Sequence, residues 1–198
     1  MIEAVRGIVA ATPPSEYPAA ICDLMRLTAR NGLPRRMLEI GVGHAAWQAH
    51  YHTLARELEQ EQKLPYEVWG IDDGSDQMFR DAFSGRVGEI QQAGGVPRYL
   101  VMSSREAWRY LAGMTLGVLF IDGQHGGGVP ENDFRHYVPM VAPGGVVIAH
   151  DAGEGGEPAA AIERRQAVFA GGFFDQRPPN DTRTWYGVVR DPATDPYP

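Results

Sequence analysis

The sequence contains a single cysteine, Cys22, so no disulfide can close within the chain and no cysteine cluster can hold zinc. Lysine is nearly missing too: of 18 basic residues only Lys63 is not arginine, a bias given no functional weight. No apolar run approaches the roughly 20 residues that span a bilayer. The stretch from Met1 to Pro14 is broken by Glu3 and Arg6 and lacks the apolar core of a signal peptide. These absences lead to the expectation of a soluble, cytoplasmic protein with no membrane partner. Basic charge is also short, 18 Lys+Arg against 25 Asp+Glu for a net of −7, which disfavours nonspecific binding to nucleic acid.

What is present suffices for one domain with a substantial core: 198 residues, 43% hydrophobic and 10% aromatic. The 24 glycines and 15 prolines punctuate many short elements. Apolar, β-rich runs occur at Met37–Ile40, Glu67–Ile71, Arg98–Met102, Gly117–Ile121 and Gly145–Ala149. Each is short and bounded by turn residues, and reads as a buried strand. Helical spacing lies between them, around Trp47–Leu58 and Met78–Ile90, with shorter helices at Ser104–Leu111, Pro130–Val141 and Pro158–Ala170. Such alternation implies parallel pairing through right-handed crossovers. Before it, an N-terminal helical segment (1–33) includes a helix over Tyr17–Arg30 that stops at Asn31-Gly32. After it, Gly172–Arg177 and Thr184–Arg190 are joined by Pro178–Arg183, too short for a crossover helix, so they pair antiparallel. Residues 34–190 then form the main domain, and 191–198 a loose tail.

Leu38-Glu39-Ile40-Gly41-Val42-Gly43 leads from the first strand into the first crossover helix. Glycines there permit a sharp turn and the close approach of a ligand, although a Gly-x-Gly alone is weak evidence. Glu39 would repel a pyrophosphate and attract an ammonium or sulfonium. Asp72, ending the second strand, can accept hydrogen bonds from ribose hydroxyls. The third place of a dinucleotide fingerprint holds Ala46, which argues only mildly against NAD. Farther on, Asp122-Gly123-Gln124-His125 leaves the fourth strand and His150-Asp151 ends the fifth. Parallel strand ends open on one rim, about 4.8 Å apart, so Asp122 and Asp151 can share a divalent cation of the Mg²⁺ or Mn²⁺ type.

These motifs resemble the class I S-adenosylmethionine-dependent methyltransferases over Met37 to Arg190. The resemblance implies an α/β, Rossmann-like methyltransferase fold: a seven-stranded, mostly parallel sheet with an antiparallel terminal strand and helices on both faces. It also implies that Glu39, Gly41 and Gly43 line the methionine end of the cofactor, that Asp72 holds its ribose, and that Ser103 and Ser104 meet its adenine. Asp-Gly-x-His and His-Asp are similar to a metal-dependent branch of small-molecule O-methyltransferases. That likeness implies Asp122 and Asp151 as ligands of Mg²⁺ or another divalent cation, with His125 as general base. It leaves open whether His150 ligates the metal, supports the ligands or does neither. The branch commonly has an aromatic residue after the histidine, whereas Gly126-Gly127-Gly128 stands here, implying a more mobile loop.

The expected partner is a small-molecule acceptor, and a homo-oligomer is left open. A metal-independent methyltransferase, a non-catalytic cofactor-binding module and an NAD enzyme stay as alternatives. Of the other polar residues, His50 and His52 are read as a solvated helix face, because positions two apart do not face each other. Arg105 and Arg109 are read as hydrated, and Asp133 as a recurrent family acid or a helix N-terminal residue.

Overall fold

In this computed structural model the apolar runs form one sheet whose ligand-binding rim is set by where four parallel strands stop. The structure describes residues 1–13, 16–43, 47–75, 77–92, 94–153, 156–175, 177 and 183–191, with only the backbone of 78, 79 and 86. The strands are β1 (Arg36–Ile40), β2 (Glu67–Asp72), β3 (Tyr99–Val101), β4 (Leu116–Ile121), β5 (Val141–Ala149), β6 (Phe169–Asp175) and β7 (Thr184–Val189). Their order is β3-β2-β1-β4-β5-β7-β6. The first five run parallel, while β7 is antiparallel to both β5 and β6. The order reverses between β1 and β4, and ligands of open α/β sheets bind at such a switch point.

The helices are α1 (Ile2–Ala11), α2 (Tyr17–Arg30), α3 (Gln48–Gln62), α4 (Gln77–Gln92), α5 (Ser104–Ala107), α6 (Val129–Tyr137) and α7 (Glu157–Arg164). Strand β4 is buried along its whole length. Leu119 and Ile121 face a core shared with Ala107, Phe134 and Ile162 of α5, α6 and α7. Val118 and Phe120 face the opposite core, with Val9, Ile21, Leu24 and Tyr51 of α1, α2 and α3. Continuous apolar runs are what two covered faces require. The two N-terminal helices thus belong to one layer of the sandwich, and Arg177 ties α1 down by donating to the carbonyls of Ala10 and Thr12, both at 3.0 Å.

Three helices end earlier than their spacing predicts: the pattern over Ser104–Leu111 gives α5 and then a 3-10 turn over Trp108–Leu111, and two others stop short as well. The pattern over Pro130–Val141 gives α6 followed by a single 3-10 turn, and β5 starts at Val141 rather than Gly145. Pro139 lacks the N–H that a continuing α-helix needs. The pattern over Pro158–Ala170 stops at Arg164, and Phe169 opens β6. Within β6, a Cβ on Gly172 would lie 2.5 Å from the Trp185 ring, so the indole of β7 lies across the glycine backbone of β6. The link 178–182, the tail beyond Asp191 and residue 176 lie outside the described residues.

Candidate active site

The turn after β1 is fixed by contact with the end of β4. Gly41 has φ +84°, and a Cβ on it would fall 2.1 Å from the carbonyl oxygen of Asp122, so only glycine fits. Its N–H donates to Ile71 O at 2.9 Å, and the N–H of Asp122 donates to Ile40 O at 2.8 Å. The turn is thereby held between β2 and β4. Asp72 stabilises it from the side, its two carboxylate oxygens accepting the N–H of Gly43 at 2.9 Å and of Gly74 at 2.8 Å. Among the described residues, and apart from its chain neighbours, no heavy atom lies within 4 Å of where a Gly43 Cβ would point. His44, Ala45 and Ala46 lie outside the described residues.

This turn forms one wall of a cleft of about 440 Å³. Five of the six expected cofactor-binding residues line it, Gly41, Gly43, Asp72, Ser103 and Ser104, together with Asp122. Ser103 also caps α5, its hydroxyl accepting the N–H of Arg105 at 3.3 Å. The sixth, Glu39, is not on the cleft wall. It is only 2% exposed and accepts a short hydrogen bond from Gln48, whose own carbonyl accepts the Tyr99 hydroxyl at 3.4 Å. Burial raises the Glu39 carboxyl to about 8 against the Gln48 bond, with the charges of Asp122 and Asp72 adding to the rise. Beneath the cleft, Asp133 is 1% exposed with one oxygen unpartnered, and burial lifts it to about 6 despite bonds to Ser104 and Asn132. It lies beyond the first turn of α6, so a helix N-terminal role does not describe it.

At the ends of β4 and β5, Asp122, His125 and Asp151 each offer a ligand atom, and all three atoms lie within 4.8 Å of one another. Asp151 holds φ +50°, a left-handed conformation that costs a non-glycine residue roughly 1–2 kcal/mol. His125 Nδ1 is 3.7 Å from Asp151 Oδ2. His150 Nδ1 sits between the carboxylates, 3.1 Å from Asp122 Oδ1 and 3.5 Å from Asp151 Oδ1. Burial opposes a charge on His150, but the hydrogen bond to Asp122 and the two negative charges outweigh it and raise its pKa. The structure therefore groups His125, expected as a base, with the two aspartates at ligand spacing. Asp151 Oδ1 is buried without a hydrogen-bond partner. Two carboxylates, an imidazole and an unsatisfied oxygen on a half-open rim fit a hard divalent cation that keeps open positions.

Tyr17, at the start of α2, is the neighbour that sequence reasoning missed. Its ring lies 4.9 Å from that of His150 and 5.8 Å from that of Trp47. The only sequence signal was an aromatic residue preceding Pro18 at a helix start, which carries no address. The glycine loop is fastened at both sides. Glu157 accepts the N–H of Gly127 at 3.1 Å and of Gly128 at 2.8 Å, while Arg105, expected to be hydrated, donates to Gly127 O. His50 is exposed as expected, but His52 is 3% exposed because Gly95, lacking a Cβ, leaves room for its ring.

A family model described as a methyltransferase domain matches residues 38–152, which spans every element of the rim. No curated protein matches the chain. Among solved structures, the fold is similar to the apo form of CalS11, a TDP-rhamnose 3'-O-methyltransferase of calicheamicin biosynthesis, at 13% identity and TM-score 0.64 over 96% of this chain and 93% of that one. The O-methyltransferase NovP superposes with TM-score 0.66 at 16% identity, over 88% and 80% of the two chains. An O-methyltransferase from Bacillus cereus in complex with S-adenosylhomocysteine gives TM-score 0.59 at 13% identity, over 94% and 89%. Among the described residues, no helix is long and apolar enough to cross a membrane.

Proposed function

Since the chain belongs to the methyltransferase-domain family, we propose that it methylates an oxygen of a small molecule from S-adenosylmethionine with the help of a divalent cation. The observation that carries this reading is the carboxylate pair Asp122 and Asp151, with a His125 nitrogen within 4.8 Å of both, beside a cleft lined by Gly41, Gly43 and Asp72. When bound, the cofactor supplies an activated sulfonium methyl, and the cation supplies Lewis acidity that lowers the pKa of an acceptor hydroxyl.

The chain's own residues do the rest. Asp72 keeps a free lone pair on each oxygen for ribose hydroxyls while bracing the glycine turn. Ser103 and Ser104 line the same cleft and would meet the adenine. Glu39, buried behind the turn and raised to about 8, would give up its proton when a cationic cofactor binds and then supply negative charge to it. Asp122 and Asp151 would hold the cation. His125, with its side chain 42% exposed, is open to an incoming acceptor and takes the hydroxyl proton. With the cofactor bound, the acceptor oxygen would bond to the methyl carbon as the sulfur–carbon bond breaks, and the acceptor proton would end on His125.

A second reading is favoured by His150 alone. Its imidazolium, set between Asp122 and Asp151, would bridge both carboxylates and offset one of their two negative charges without a metal. Release of S-adenosylhomocysteine measured with Mg²⁺ and with excess chelator separates the two. Loss of turnover in chelator, restored by Mg²⁺ or Mn²⁺, supports the metal reading, and unchanged turnover overturns it.

A further inference from the structure

Ser103 and Ser104 stand side by side on the cofactor cleft, yet their hydroxyls are held in opposite ways. The oxygen of Ser103 accepts the Arg105 N–H at 3.3 Å, capping α5, so its own proton is left for the cleft. The hydroxyl of Ser104 instead donates to the carboxylate of Asp133. A hydroxyl has one proton and two lone pairs. With that proton spent on Asp133, Ser104 offers the cleft lone pairs alone.

Burial keeps the proton where it is. Asp133 is 1% exposed and one of its oxygens lacks a partner, so water does not compete for the Ser104 hydroxyl. The charge of Arg105 favours the ionised carboxylate, which accepts hydrogen bonds and cannot donate one. Asp133 also lies just under the cleft wall: a Cβ on Gly123, another cleft residue, would fall 3.8 Å from Asp133 Oδ2. Four positions along α6, the Tyr137 hydroxyl donates to the Ser104 carbonyl at 2.6 Å. Helix α6 thus grips Ser104 by hydroxyl and carbonyl together.

The two serines therefore present a donor beside an acceptor. Adenine joined through N9 has one donor, its 6-amino group, next to the acceptor N1, which is the complementary order. Hypoxanthine reverses both places, with a 6-oxo acceptor beside an N1–H donor. An acceptor pressed against an acceptor in a half-buried site stays unpaired, and that penalises the wrong base.

Resting on the methyl-transfer reading and its adenine at these serines, we infer that Asp133 is a positioning residue for cofactor choice. By holding the Ser104 proton it makes Ser103 and Ser104 a donor–acceptor pair that selects a 6-amino purine over a 6-oxo purine. Asp133 touches no cofactor atom and acts through Ser104.

Calorimetric titration of the full chain with S-adenosylhomocysteine and with S-inosylhomocysteine tests the inference. The adenosyl ligand should bind at least about tenfold more tightly. Ser104→Ala, which removes the acceptor, should bring the two ligands within about threefold of each other. Asp133→Ala should do the same with Ser104 still in place, because the freed hydroxyl can turn its proton toward a 6-oxo group. Asp133→Leu, which fills the site, replaces it if the smaller side chain costs the fold. A residue that only supported the fold would weaken both ligands alike and leave their ratio unmoved. Equal binding by the unaltered chain, a preference for the inosyl ligand, or an unchanged ratio in the serine or the aspartate variant would each overturn the assignment. Failure of the unaltered chain to bind S-adenosylhomocysteine at all overturns the methyl-transfer reading, and this inference falls with it.

Discussion

His150 Nδ1 stands 3.1 Å from Asp122 Oδ1, so an imidazole from the end of β5 is tied to a carboxylate from the end of β4. That contact fixes the rim across two neighbouring strands, and it makes Asp122 a shared partner of a histidine and of any bound cation. Asp122→Asn should lower Mn²⁺ affinity by about tenfold or more. Electron paramagnetic resonance of free Mn²⁺ reads this directly. Unchanged affinity would place the cation elsewhere.

Asp72 has a double assignment, holding the glycine turn and facing the cleft. Asp72→Ala leaves two backbone donors to water, a cost of about 1 kcal/mol each at this half-buried position. The melting temperature without ligand should drop by a few degrees. The further rise that S-adenosylmethionine produces should vanish, and a rise as large as that of the unaltered chain would show the ribose contact to be misassigned.

Glu39 gives a pH dependence with a definite sign. Its carboxyl is raised from 4.5 to about 8, so the folded chain retains a proton that the unfolded chain releases. Its contribution to stability is full below pH 4.5 and is lost as pH rises through about 8. A cationic cofactor favours the ionised form, so binding expels the proton. Affinity for S-adenosylmethionine should therefore rise with pH up to about 8 and then level. Calorimetry in buffers of different ionisation enthalpy would register the released proton, and Glu39→Gln should abolish it.

His52 has the opposite linkage. Burial, with Arg98 adding, lowers its pKa from 6.5 to about 4, so the unfolded chain takes up a proton first. Stability should fall as pH drops from 6.5 toward 4, by roughly 3 kcal/mol at most. Thermal melts across that range read the slope. His52→Gln, which cannot titrate, should remove this part of it, and an unaltered slope would show that His52 is not its source.

Much of the rim was legible along the chain because strand ends and glycine turns are local features. Gly41 is demanded by its own φ, and Asp122 and Asp151 follow directly from the last residues of buried strands. Parallel pairing then brings such ends to one side. The burial of Glu39 was not legible by the same logic. A strand alternates its faces, so a carboxylate two residues before Gly41 points to the side covered by α3, where Gln48 meets it. The early ends of α6 and α7 were hidden because apolar runs such as Val168-Phe169 satisfy helix and strand patterns alike.

The sequence by itself determined the order of elements, the glycine turn and the acids that end the strands, since each depends on neighbouring residues and on backbone sterics. Only tertiary structure decided which side chains share the rim. Tyr17 comes to His150 because α2 packs over β4 and β5, and Glu157 comes to the Gly127 and Gly128 amides because α7 packs beside α6. Tyr17 and His150 are 133 positions apart, and Glu157 is about 30 positions from its partners. Contacts over such separations follow from burying two apolar helix layers on one sheet, and no local pattern encodes them.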